Sequence, residues 1–302
     1  MTHLCKRVSY KYLLILALFA TIFLNYPTWV AAADFPLTIT DGLGRELVIE
    51  RVPQKIVTLA PSVTENLYAL GAGDRVVGVS SYSDYPSEAL AKPIVGDAFQ
   101  VNFEQILLLE PDLIIGDAQL VGTQMSKLEE LGFPVFSINP SDLEGVMNAL
   151  LLLGEVLDTK SEASRVVADM REKIDYVTEL TKDIKVRPLV FVEVWDEPLM
   201  TCGPGSFMQE LIDLAGGENL AADARDPWVE YSVEQVLLRD PEIILLTRPY
   251  AEEVLARPAW SGVKAVKQGK IIEVNEDAFV RTTPRLTDAL MELAEILHPE
   301  SF

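Results

Sequence analysis

Asn102–Ile115 reads NFEQILLLEPDLII, and 130 residues further on Ser232–Leu245 reads SVEQVLLRDPEIIL. Each copy opens on a residue suited to cap a helix, Asn102 or Ser232, with Gln105 or Gln235 three positions later to complete a capping box. Each then runs through a short apolar helix, breaks at an acid-proline pair and closes on an apolar strand. A unit repeated in this way indicates two lobes related by duplication. A fainter echo pairs Ser62-x-x-Glu65 with Ser206-x-x-Gln209, each expected to open a helix after a strand and a turn.

Outward from the first copy, short apolar strands alternate with helices. Strands are expected at Lys55–Leu59, Val76–Val79, Leu113–Ile115 and Val135–Ile138, with helices at Phe103–Leu109, Gln124–Leu131 and Leu143–Leu157. The alternation restarts at Leu189–Val194 and ends in a helix over Leu286–Leu297. Strands spaced like this by helices make parallel sheets covered on both faces. Between the two series, residues 159–183 contain neither Gly nor Pro, and their apolar positions recur at spacings of three and four. That pattern predicts one long helix with a buried face. The expected fold class is therefore α/β, with two Rossmann-like lobes, 34–158 and 184–302, joined by the single helix 159–183.

Residues 1–33 read as a secretion signal. Lys6, Arg7 and Lys11 precede the apolar run Leu13–Leu24, and Ala31, Ala32 and Ala33 supply a small-residue cleavage site. The run of 12 residues is short for a membrane span. Cleavage near Ala33 would deliver the chain to the periplasm. The remainder carries 22 basic and 46 acidic residues, a net charge of −24. A field of that sign repels nucleic acid and anionic lipid and suits a basic partner surface.

The side chains that catalysis needs are scarce. Beyond the signal, the chain has one histidine, His298, and one cysteine, Cys202, and no Gly-x-Ser-x-Gly elbow or phosphate loop. No cofactor and no resident metal are expected, and the chain reads as a binding protein, not an enzyme. A hydrolase working through a carboxylate pair is the rival from another class, although no pair stands out.

Aromatic residues instead cluster after strands: Tyr82 and Tyr85, Phe99, Trp195, Trp228 and Phe279. Each alone is equally compatible with packing under a loop. Recurrence in both lobes, at the strand ends where α/β proteins bind ligands, points to flat walls for a bulky planar ligand. Arg281 is the candidate to hold an anionic group, while Arg285, at the start of the last helix, is as well explained by pairing with an acid. Glu104 and Glu234 fall in the first turns of the repeated helices, where a carboxylate meets the helix dipole favourably and needs no further purpose. Their recurrence would equally supply paired negative studs for a symmetric partner.

Val57–Glu65, Val77–Pro86, Val101–Glu104, Gly216–Asn219, Pro227-Trp228 and Thr283–Arg285 together resemble the cobalamin-binding members of the periplasmic binding proteins of ABC importers, whose wider relatives bind siderophores and haem. The resemblance spans about Lys55 to Leu297. It implies two lobes on a rigid helix, a corrinoid held by Tyr82 and Trp228 with Trp195, Asp277 and Phe279 nearby, and Glu104 and Glu234 meeting arginines of a permease dimer, with the binding protein itself a monomer. The chain departs from the pattern where Ala98 and Asp117 replace tryptophans, with Phe99 the available substitute, and where Cys202 has no cysteine to pair with. A ferric siderophore or haem is the alternative ligand, and an orphan sensor that meets no permease is a further reading.

Overall fold

The computed structural model describes residues 35–97 and 99–302, so the expected signal over residues 1–33 lies outside the described residues, as does Ala98. The chain first makes an antiparallel hairpin of β1 (Leu37–Thr40) and β2 (Glu46–Ile49), joined to the first lobe by a hydrogen bond from the Gly42 amide to the Ser137 carbonyl at 2.7 Å. Four parallel strands follow: β3 (Ile56–Thr58), β4 (Val76–Gly78), β5 (Leu113–Asp117) and β6 (Val135–Ile138). In the second half come β7 (Leu189–Glu193), β8 (Trp195–Asp196), β9 (Leu199–Cys202), β10 (Glu218–Asn219), β11 (Trp228–Glu230), β12 (Ile243–Leu246) and β13 (Ile271–Glu273).

The two parallel sheets run β4-β3-β5-β6 and β10-β7-β12-β13. In each, the second strand of the lobe lies at one edge, beside the first, and the third and fourth follow. The repeated sequence unit occupies the same place in both sheets, a short helix leading into the third strand. Those helices, Phe103–Leu109 and Val233–Arg239, end on left-handed residues, Glu110 (φ 48°) and Asp240 (φ 52°), each followed by a proline that cannot continue a helix. Every residue of β5 and β12 is buried, because helices cover both sheet faces.

The long helix, Lys160–Thr181, spans 22 residues, or about 33 Å at 1.5 Å per residue. Its buried face, Ala163, Val166, Val167, Met170 and Val177, packs against Leu143–Val156 from the first half and against Phe207–Leu214 and Leu286–Leu297 from the second. One hydrophobic core therefore runs through both halves. Gly154 permits the close approach of the first pair, since a Cβ there would stand 2.5 Å from that of Ala163.

Several local expectations change. The helix after β3 starts at Pro61, with Ala60 at its N-cap and no side-chain cap, so the expected Ser62–Glu65 capping box does not form and the Ser62 hydroxyl has no partner. Proline at the first position sets the helical φ itself and moves the start ahead of Ser62. Ser206 does cap its helix, accepting from the Gln209 amide at 3.1 Å. The helix expected from Gln124 begins at Ala118, capped by the Asp117 side chain and kinked at Val121. A three-stranded antiparallel sheet, β11-β9-β8, carries Trp195 and Trp228, which the sequence placed in loops.

Met170 is fully buried where the long helix meets both halves. Met170→Ala is expected to cost about 2–5 kcal/mol, measured as a lower urea midpoint. An unchanged slope of the unfolding curve would show that the two halves still unfold together.

Candidate ligand-binding cleft

Both sheets are parallel, so in each lobe the carboxyl ends of the strands, and the loops that leave them, gather on one side. On the first lobe these ends present the 79–86 loop with Tyr82, and Asp117 at the end of β5; on the second they present Trp195 after β7, Arg248 after β12 and Asp277 after β13. The segment that follows Asp277 meets the first lobe directly. Arg281 of the second half donates from Nη1 to Glu65 (2.6 Å) and Asp84 (2.8 Å), and from Nη2 to the Tyr82 carbonyl (3.3 Å). Asn66 donates to the Thr282 carbonyl at 3.2 Å, and Thr282 favours the charged form of the nearby Asp117.

Glu65 is the centre of this junction. It sits one turn into the helix that follows β3 and is 4% exposed. Besides Arg281, it accepts from Arg285 Nε at 2.9 Å and Nη2 at 2.8 Å. Arg281 also pairs with Asp277 at 2.5 Å, and the Arg285 guanidinium lies 4.1 Å from the centre of the Tyr85 ring. Burial pushes Asp84 up, but its hydrogen bond and charge interaction with Arg281 outweigh this, and its net shift is downward. A groove of 570 Å³ beside the junction is bounded by Glu65, Tyr68, Tyr85, Pro86, Pro284 and Arg285.

Tyr82, Trp195, Trp228 and Phe99 are exposed. Trp195 lies opposite Met200 and Trp228 opposite Cys202, on the two sides of β9. Side chains alternate along a strand with a period of two, so both indoles stand on the same face of that sheet. Trp228 is braced edge-on by Phe207 at 5.3 Å, and Trp195 donates its indole N–H to the Glu197 carbonyl at 3.0 Å. Phe99 tips a tight turn in which Asp97 accepts from the Phe99 and Gln100 amides, both at 2.7 Å.

Two expected ligand residues change character. Phe279 is fully buried in the main core and cannot line a cleft; it occupies the inward side of the helix Glu276–Val280. Arg281 does lie where the lobes meet, but its guanidinium is taken up by Glu65, Asp84 and Asp277. Sequence reading missed the role of Glu65 by treating it as a cap, because both of its arginine partners stand more than 200 positions away.

Glu104 and Glu234 are exposed in the first turns of their helices, and Asn102 and Ser232 cap the same turns. The sequence alignment of the two copies also pairs Leu108 with Leu238, one helical turn beyond each glutamate. Both leucines are 77% exposed. Cys202 is buried, and burial pushes its thiol up to about 12, far from nucleophilic use. Among the described residues, no group of His, Cys, Asp and Glu side chains could hold a metal ion.

Burial raises Asp117 to about 6 from an ordinary 3.8, against the opposing hydrogen bonds of the Gln119 amide and Thr282. Below about pH 4 the carboxyl is protonated in folded and unfolded chain alike, so its burial costs no ionisation penalty. Between about pH 4 and 6 the unfolded chain releases the proton first, and stability falls; it stays reduced above that window. Asp117→Asn keeps a good N-cap and should flatten stability over this range. At pH 7 it should gain up to about 3 kcal/mol, because each tenfold difference in proton affinity between folded and unfolded chain is worth roughly 1.4 kcal/mol. Urea unfolding from pH 4 to 7 measures both effects.

Comparison with known proteins adds to this geometry. The profile of a family described as periplasmic binding protein matches residues 56–278. An uncharacterized ABC transporter substrate-binding lipoprotein of Bacillus subtilis, YvrC, is 33% identical over 276 residues, covering 89% of this chain and 87% of that protein. The vitamin B12-binding protein of Vibrio cholerae is 31% identical over 247 residues, covering 81% of this chain and 89% of that one. The crystal structure of the periplasmic vitamin B12 binding protein BtuF of Vibrio cholerae superposes with a TM-score of 0.72 at 30% identity, covering 82% of this chain and 97% of that one. Relatives over most of its length are substrate-binding proteins, and the chain shares their two-lobed fold on a long helix: it belongs to the periplasmic binding protein family.

Proposed function

We propose that the chain is exported, loses its signal near Ala33, and captures a corrinoid between lobes 34–158 and 184–302 for delivery to an ABC importer. The observation that carries this reading is the set of exposed rings, Tyr82 in the first lobe and Trp195 and Trp228 on one face of the β11-β9-β8 sheet of the second, in a molecule whose lobes are salt-bridged through Arg281 beside Tyr82. Exposed apolar rings are costly to leave in water unless something covers them, and a broad flat ligand does so at both walls. Kinship with vitamin B12-binding proteins supports a corrinoid. A ferric siderophore clasped by Arg281 loses support, because that guanidinium already serves three carboxylates.

In this reading the ligand lies against Tyr82, Trp195 and Trp228, with Phe99 and Asp277 at its margin, while Arg281 holds the floor from below. The long helix, packed against both halves, limits how far they separate. The loaded protein, a monomer, docks on a permease dimer through Glu104 and Glu234. Leu108 and Leu238 add apolar contact beside each carboxylate. One acid and one leucine per lobe, at equivalent places, fit two equivalent basic sites on the two permease subunits.

Titration with cyanocobalamin and haemin, followed by tryptophan fluorescence, tests the ligand; a protein that ignores cyanocobalamin would overturn the reading. Trp228→Ala is expected to weaken cyanocobalamin binding about ten- to a hundredfold, the effect of removing a buried aromatic wall. Glu104→Lys combined with Glu234→Lys should abolish uptake through the importer and leave ligand affinity within about twofold, because rim charges act on docking and not on the cleft. A fall in affinity would instead make the two glutamates structural.

A further inference from the structure

We infer that Arg248, which lies over the face of Trp195, is an anion-receiving subsite of the cleft that takes a phosphodiester or carboxylate at the edge of the bound ligand. The inference rests on the reading of the cleft given above and adds the chemistry of one ligand group to it.

Arg248 stands at the carboxyl end of β12, beside β7 in the parallel sheet. The residue before it is tied to the residues that lead from β7 into Trp195. The Thr247 amide donates to the Glu193 carbonyl at 3.3 Å, and the Thr247 hydroxyl to the Val194 carbonyl at 3.4 Å. The guanidinium carbon lies 4.2 Å from the centre of the Trp195 ring. The indole N–H is already engaged with Glu197, so the ring is held in place and offers Arg248 only its face.

Arg248 combines this ring contact with the lack of a counter-charge. Near the cleft, Arg281 pairs with Glu65, Asp84 and Asp277; Arg285 pairs with Glu65; and Arg257 pairs with Glu193. Arg248 donates no hydrogen bond and joins no ion pair among the described residues. Arg51, Arg75, Arg187 and Arg225 likewise meet no carboxylate among the described residues, but of these five arginines only Arg248 lies over an aromatic face. Contact with an aromatic face uses the π system of the guanidinium and leaves its fork of N–H donors free. That fork matches two oxygens of one carboxylate or phosphodiester. A flat ligand resting on the rings would bring a peripheral anionic group within its reach.

The two anion sources separate by choice of probe. Cyanocobalamin carries a phosphodiester; dicyanocobinamide has the same corrin ring without it. Haemin carries two carboxylates; its dimethyl ester has none. Affinities of the full-length mature protein for the four compounds, wild type against Arg248→Met and Arg248→Lys, are measured by calorimetry. Arg248→Met keeps the length and packing of the side chain and removes its charge and donors. It is expected to weaken cyanocobalamin about ten- to a hundredfold, in line with loss of a charged hydrogen bond, and to leave dicyanocobinamide within about twofold. Arg248→Lys should recover part of the loss. The same pattern confined to haemin and its ester would keep the anion subsite while overturning the corrinoid reading. Equal weakening of a charged probe and its uncharged partner would reduce Arg248 to a support for Trp195 and overturn the inference, as would no change with either. Wild-type protein that binds none of the four would remove the cleft reading and the inference with it.

Discussion

A carboxylate that is 4% exposed holds two guanidinium groups from the other half of the chain, and much of the molecule depends on that arrangement of Glu65, Arg281 and Arg285. Taking such charges out of water is expensive, and their attraction offsets the cost only when geometry is good and hydrogen bonds are complete. Here Arg281 adds Asp84, Asp277 and the Tyr82 carbonyl, so its donors are used on several sides. The result specifies one mutual arrangement of the strand-end loops. It sets the backbone at Tyr82 on one wall and the approach to the last helix on the other. A core that is merely apolar would tolerate sliding here; a buried ionic junction of fixed partners does not.

The long helix and the ionic junction divide the mechanical work. The helix packs against elements of both halves and carries an unbroken apolar core between them. The junction acts at a second place, through side chains and not through the chain. Two connections of different kind thus join the halves, while the aromatic side chains Tyr82, Trp195 and Trp228 stay exposed.

Much of this architecture was legible in the sequence because its signals are local. Apolar runs such as Leu113–Ile115 and Val135–Ile138 mark strands buried on both faces, and the spacing in residues 159–183 marks a helix with one buried side. Asn102, Ser206 and Ser232 cap the helices that their positions implied. Failures came where a distant partner decides the outcome. Glu65 satisfies a local capping pattern, yet its partners lie more than 200 residues on. Phe279 looks like a loop aromatic until the helix that bears it turns it into the core. Trp228 enters a sheet because β9, some 26 positions earlier, offers it an edge. Candidate walls were found from residue type and strand-end position; the engagement of Arg281 and the isolation of Arg248 needed coordinates, since an ion pair leaves no periodic trace.

The shared strand order of the two parallel sheets gives positions on their strands counterparts in the other lobe, and the counterparts have not drifted equally. Outside, Glu104 and Leu108 are matched by Glu234 and Leu238, residue for residue and exposure for exposure. Inside, the end of β5 carries a buried acid, Asp117, where the same offset in the second lobe falls on Thr247 beside Arg248. Duplication followed by such uneven divergence leaves a molecule that is nearly symmetric to whatever touches its outer helices and fully handed to whatever enters between its lobes. Anything between the lobes would meet different groups on its two sides, while the outer helices present the same acid and leucine twice.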